Sequence, residues 1–289
     1  MRTLRGILRL AVDLTIHREQ KVKCTHDAAA AGDHGPPPTP YPAINAVLHT
    51  LLSDAQAILG PHFVGMYLYG SLAGGDFDPR RSDIDFLVVT AAELPDDLIA
   101  ALQALHARLA ASGDQWAVKL EGAYIPQRAL RRYDPTDPPY PFVNEGRFYL
   151  ARPGSDWVIQ RHVLREQGVV LAGPTLHALI DPVSPDDLRQ AVVGLLREWW
   201  APMLDDPARL RRSDYQAYAV LTMCRALYTL ENGTIVSKPV AARWAQEALG
   251  QRWAALIAPA LAWPSADAVN DLSETLEFIR YTLGRANPR

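Results

Sequence analysis

The chain has 289 residues, 48% of them hydrophobic, which is enough for one large or two ordinary domains with sizeable cores. A net charge of −3 argues against a polyanion-binding surface, and so against a nucleic acid partner, but leaves room for a local basic pocket. Two distant cysteines, Cys24 and Cys224, give neither metal spacing nor a disulfide framework, and no apolar run reaches the roughly 18 residues of a membrane span. A cytoplasmic protein without a membrane partner is expected.

Residues 1–17 are basic and partly apolar and read as a short amphipathic helix. Arg5 and Arg9 interrupt the apolar part and no small-residue cleavage site follows it cleanly, so a signal peptide is not expected. The stretch Gly35-Pro-Pro-Pro-Thr-Pro40 cannot be helix or central strand, so residues 1–40 are expected to be an extension or disordered linker. Pro42 suits a first helical turn. Ile44, Val47, Leu48, Leu51, Leu52, Ala55, Ile58 and Leu59 then recur at three- and four-residue steps, and Gly60-Pro61 stops that helix.

Val64, Met66 and Leu68 alternate as a strand, closed by a Gly70-Ser71 turn. A loop follows, then Ser82 and a second strand opening on Asp83-Ile84-Asp85. Strand side chains repeat every two residues, so both carboxylates face one way. Two like charges on an apolar strand call for a cation between them, and hard oxygen ligands favour magnesium. Residues 95–111 form an amphipathic helix. Residues 116–124 read as a strand with Trp116, Val118, Leu120 and Tyr124 on one face and Lys119 and Glu121 on the other. Beside the Asp83/Asp85 strand, Glu121 would complete a three-carboxylate cluster; alone it would read as a solvated edge residue. Residues 126–155 read as a long irregular excursion, Asp156 as a helix cap, and 167–171 as a turn and short strand.

Pro182 to Pro185 mark a boundary, giving a domain over 41–180 and another over 185–289. The second is all helical in pattern: 185–200, 215–230, 238–249 capped by Ser237, 251–261 and 266–283. Arg225 lies inside an apolar helix, either snorkelling outward or facing a cleft as a phosphate partner. Lys238 opens a helix against the dipole, a conflict that a bound phosphate would resolve.

Gly70-Ser71, a loop of about ten residues and Asp83-x-Asp85 resemble the signature of the nucleotidyltransferase superfamily, with its DNA polymerase beta-like fold. Val220–Tyr228, Glu231–Lys238 and Val240–Ala245 are similar to the C-terminal domain of the aminoglycoside (3'')(9) adenylyltransferases, which act on streptomycin and spectinomycin. The resemblance spans roughly residues 40–285. It implies an α+β protein: a nucleotidyltransferase domain with a mixed sheet and flanking helices, then a helical bundle, with the active site between them. It also implies Mg²⁺-dependent transfer of AMP from ATP to an antibiotic hydroxyl. Asp83 and Asp85 would ligate two Mg²⁺ ions, Glu121 would be the base, Gly70, Ser71 and Ser82 would lie along the phosphates, and Arg225 and Lys238 would contact ATP.

Two departures stand out. The Ser71–Asp83 loop is one residue longer than in those enzymes, and residues 199–215 do not align cleanly. Trp200, Asp205, Asp206 and Asp214 are of the right type for a polycationic, sugar-bearing acceptor, or else belong to an interhelical loop. A monomer is expected, since the helical half completes the site. Competing readings are an adenylyltransferase for a protein or metabolite, an idle nucleotide sensor, and a polymerase or tRNA-tailing enzyme.

Overall fold

The structure is a computed structural model that describes residues 37–80, 82–263 and 271–286. The expected N-terminal helix and the first two residues of the proline segment, Gly35 and Pro36, therefore lie outside the described residues. The chain opens with α1 (Pro42–Leu59), with proline in its first turn, and a 3₁₀ turn (Gly60–His62) leads into β1 (Phe63–Leu68). The expected Gly-Ser turn is instead a short helix, α2 (Gly70–Gly74), stopped by left-handed Gly75 (φ 84°). β2 spans Ile84–Thr90, so Asp83 immediately precedes the strand rather than opening it. α3 (Asp96–Ala110) follows.

The strand expected from residue 116 begins later. Asp114 Oδ1 accepts a hydrogen bond from Trp116 N (2.7 Å), which folds Ala117–Lys119 into a 3₁₀ turn, and β3 is Leu120–Pro126. Lys119 thus leaves the sheet, and its Nζ donates to Pro79 O at 2.7 Å. The expected excursion over 126–155 is also corrected. It contains α4 (Gln127–Arg131) and a hairpin of β4 (Tyr140–Asn144) and β5 (Arg147–Ala151). Its two-residue tip, Glu145-Gly146, has φ of 49° and 70°, the handedness that matches twisted strands. Pro141 inside the strand masked this pattern.

α5 (Asp156–Gln167), β6 (Val169–Ala172) and α6 (Leu176–Leu179) complete the first half. α7 (Pro185–Leu195) carries a full capping box from Ser184 and Asp187. It widens into a π-type turn (Leu196–Trp200), then α8 (Pro202–Asp205) and a 3₁₀ turn. α9 (Ser213–Asn232), α10 (Lys238–Ala248), α11 (Gln251–Ala262) and α12 (Leu272–Arg285) form the helical remainder.

The six strands run β5-β4-β3-β2-β1-β6, with only β2 and β3 parallel. Period-two alternation splits the core between two faces. Met66, Leu68, Phe86, Val88, Leu120 and Tyr124 pack with α1 and α3. Tyr67, Leu87, Val89, Ala123, Ile125 and Phe142 pack with residues of the C-terminal helices. Among the described residues, no helix is long and apolar enough to cross a membrane.

His106 of α3 sits in the first of these cores, stacked on Phe86 and Phe148, with its Nε2 2.8 Å from Tyr124 Oη. Burial pushes its imidazole down to about 4. The unfolded chain takes up this proton near pH 6.5 and the folded chain resists it, so stability is complete above pH 6.5 and is lost as pH falls towards 4. Between pH 7 and 5 the loss from this group is about 2 kcal/mol. His106→Gln is expected to lose correspondingly less over that interval in urea denaturation. Equal pH dependence of the two proteins would refute the assignment, because all other titrating groups are common to both.

Candidate active site

The parallel β2–β3 register sets Asp85 beside Glu121, and the Tyr69 amide donates to the Asp85 carbonyl (3.2 Å). Gly122 and Ala123 pair with Val143 and Phe142, and one more step of that register brings Glu121 opposite Asn144. Tyr69, Asp85, Glu121 and Asn144 therefore form one row across the sheet, on the face turned to the helices. Glu121 is only 2% exposed. The Asn144 amide Nδ2 donates to its Oε1 at 2.5 Å. Asp83 and Asp85 are half-buried.

The connection from β1 to β2 is held by its own backbone. Ser71 is buried, and its carbonyl accepts from Asp76 N at 3.0 Å. Ser82 is buried too; its Oγ accepts from Asp78 N (3.0 Å) and its N–H donates to Asp78 O (2.8 Å). Gly70 has φ 68°, and a Cβ there would fall 1.9 Å from Asp85 Oδ2. Only glycine permits both that backbone and that approach. Ser71 and Ser82, but not Gly70, border a cavity of about 230 Å³ that also reaches Asp76, Asp83, Asp85 and Glu121.

The opposite wall comes from the helical half. Asp214, Tyr215, Tyr218 and Leu221 of α9, Lys238 of α10, and Leu261 and Trp263 at the end of α11 line the same cavity. Ser237 Oγ caps α10 by accepting from Val240 N (3.3 Å), which fixes Lys238 at the helix start. Its Nζ lies 5.3 Å from the centre of the Tyr218 ring. Asp214 is ion-paired with Arg212.

The remaining residues singled out from the sequence do not line this cavity. Arg225 is 8% exposed and borders a separate, mostly apolar space of about 30 Å³ with Trp200 and Thr222. It is still close enough to lower the Tyr218 hydroxyl against the upward push of burial and Tyr215. Trp200 has no exposed surface, and its indole packs near Tyr215 and Tyr218 instead of facing a ligand. Asp205 and Asp206 are exposed, and Asp206 caps the following 3₁₀ turn through Ala208 N. Of the four acceptor candidates, only Asp214 reaches the cavity.

Sequence reasoning missed Asp76, Asn144, Tyr215 and Tyr218. Tyr218 lies one helical turn beyond Asp214, a spacing that signals a shared face. Nothing local signals Asn144, which depends on the hairpin.

Electrostatically the sheet face is crowded with negative charge. Burial first, and then Asp85, Glu121 and Asp156, raise the Tyr69 hydroxyl well above its ordinary value. Burial pushes the Asp156 carboxyl up to about 7, with Glu198 adding to the shift. Among the described residues, no three Asp, Glu, His or Cys side chains form a complete metal cage. Two half-buried carboxylates at the rim of a shared cavity, with Lys238 opposite, do fit a hard divalent cation that keeps ligand positions for water and phosphate.

Residues 58–126 match the family model described as a nucleotidyltransferase domain, and residues 178–285 match that of the aminoglycoside adenylyltransferase C-terminal domain. An aminoglycoside (3'')(9) adenylyltransferase of Escherichia coli is 29% identical over 84% of this chain and 96% of its own length. One from Klebsiella pneumoniae is 31% identical over 74% of this chain and 84% of its own length. The crystal structure of a spectinomycin adenyltransferase from Enterococcus faecialis with ATP and spectinomycin shares the fold, at a TM-score of 0.65 and 19% identity, over 83% of this chain and 98% of that one. Two matching domain families in the same order, and curated relatives aligned along nearly their whole length, establish that this chain belongs to the aminoglycoside (3'')(9) adenylyltransferase family of nucleotidyltransferases.

Proposed function

We propose that this enzyme transfers AMP from ATP to a hydroxyl of an aminoglycoside-type antibiotic of the streptomycin and spectinomycin class, and so acts in antibiotic resistance. The observation that carries the reading is the Asp85–Glu121 register, which gathers Asp83, Asp85 and Glu121 at one cavity with Lys238 on the facing wall. Asp83 and Asp85 would hold Mg²⁺, two ions in the full site, and the metal would supply charge neutralisation for the phosphates and acidify the acceptor hydroxyl.

Glu121 accepts the hydroxyl proton. The acceptor oxygen bonds to the α-phosphorus, the bond from that phosphorus to the α–β bridging oxygen breaks, and pyrophosphate leaves with that electron pair. Gly70 and Ser71 let the backbone approach the phosphates, and Ser82 fixes the loop beside Asp83. Lys238 offsets phosphate charge from the helical side. Arg225 lies behind the cavity wall, at the separate space it shares with Trp200 and Thr222. Asp214 meets a cationic acceptor. One chain supplies both walls, so the enzyme works as a monomer, in the cytoplasm where ATP is found.

Pyrophosphate release from ATP and Mg²⁺ tests the reading across streptomycin, spectinomycin, kanamycin, gentamicin and no drug. Release with streptomycin or spectinomycin alone is expected, and silence across the panel would overturn the acceptor class. Glu121→Gln should lower kcat about 10²- to 10⁴-fold, the usual worth of a general base. Asp85→Asn should lower it about 100-fold or more and raise the Mg²⁺ concentration needed. Wild-type turnover in either variant would remove that residue from its role. Gly70→Ala should displace Asp85 and cost about 100-fold in kcat, with a stability loss of only about 1–2 kcal/mol by thermal melting. Unchanged kcat would show that the close approach to Asp85 is dispensable.

A further inference from the structure

We propose that Asn144 is a positioning residue for the reaction: its side-chain amide holds the Glu121 carboxylate in the orientation from which it takes the acceptor proton. This rests on Glu121 being the base. The two groups meet at 2.5 Å, both are buried, and the pair lies inside the sheet rather than at its solvent edge. An ionised carboxylate only accepts, so the contact selects the amide nitrogen of Asn144, not its oxygen. A neutral amide brings no charge into the cavity. It also cannot compete for the acceptor proton, as a second carboxylate or an imidazole would.

The hairpin places this donor. Asn144 is the last residue of β4 and pairs with Arg147 across the tip. Glu145, next in sequence, is the only non-glycine with positive φ among the described residues. That backbone is the one a two-residue hairpin tip requires. Gly146 is wedged against helix α3, since a Cβ there would lie 3.2 Å from Ala110 Cβ. The tip is therefore seated on the same scaffold that carries the sheet, which fixes the Asn144 backbone beside Glu121.

Steady-state kinetics of Asn144→Ala and the near-isosteric Asn144→Asp test this. Each is expected to lose about 10- to 100-fold in kcat, with KM for ATP within about twofold of wild type, because nucleotide contacts are untouched. Asn144→Asp covers the case in which the alanine variant fails to fold. In a Glu121→Gln background, Asn144→Ala should cost no more than about twofold further, since the two act as one unit. Wild-type kcat in both single variants, or the same fractional loss with and without Glu121, would overturn the proposal. A Glu121→Gln enzyme as active as wild type would instead remove the base assignment itself. The crystal structure of Asn144→Ala reads the positioning role without turnover: a rotated Glu121 side chain supports it, and an unmoved one overturns it.

Discussion

Parallel pairing of β2 with β3 is the constraint on which the rest of the molecule depends. It sets Asp85 and Glu121 side by side on one face of the sheet, with Asp83 one step before the strand. Like charges at such spacing, one of them almost wholly buried, are unfavourable by themselves. A divalent cation turns that repulsion into a binding site. The fold maintains the arrangement because each strand is anchored by its other face, where Phe86, Val88, Leu120 and Tyr124 pack against α1 and α3. On the facing side, Leu87, Val89, Ala123 and Ile125 pack into the second core, so the charged residues are confined to one end of the strands.

The second face is arranged to limit how much charge it adds. Burial first, and then the nearby Glu121 and Asp156, raise the hydroxyls of Tyr69 and Tyr149, so both remain neutral. Asp156 is buried at the start of α5, where Gln160 Nε2 donates to it at 2.8 Å. Burial pushes its carboxyl up to about 7, so it holds a proton readily near neutrality. The negative charge of this region thus concentrates on the carboxylates at the cavity rim, where a metal and phosphates with their counter-charges can balance it. The helical half answers with Lys238, held at the α10 start by the Ser237 cap.

Much of this was legible in the sequence because it is local. Gly70-Ser71, the loop and Asp83-x-Asp85 are contiguous, and their spacing relative to an alternating apolar strand carries the resemblance to the nucleotidyltransferase domain. α1, α3 and the run of C-terminal helices follow from apolar residues at three- and four-residue steps, and their limits differ from expectation by a few residues. The hairpin was not legible because Pro141 and the surrounding Pro, Asp and Tyr imitate an irregular loop. The turn at 117–119 was not legible because Trp116, Val118 and Leu120 imitate a strand, until the Asp114 side chain captures the Trp116 amide.

The sequence by itself determined the family, the reaction type it implies and the carboxylates proposed to carry it, since these reside in short segments whose spacing is read directly from the chain. Only the tertiary structure decided which long-range neighbours meet. It brought Asn144 to Glu121 through a strand register 23 residues apart, selected Asp214 over Asp205 and Asp206, and placed Trp200 inside the helical core. It also set Arg225 behind the cavity wall while Lys238 reached it. The physical reason is that facing direction on a long, nearly all-apolar helix is settled by what packs against it, and a pattern apolar on every side does not specify that direction.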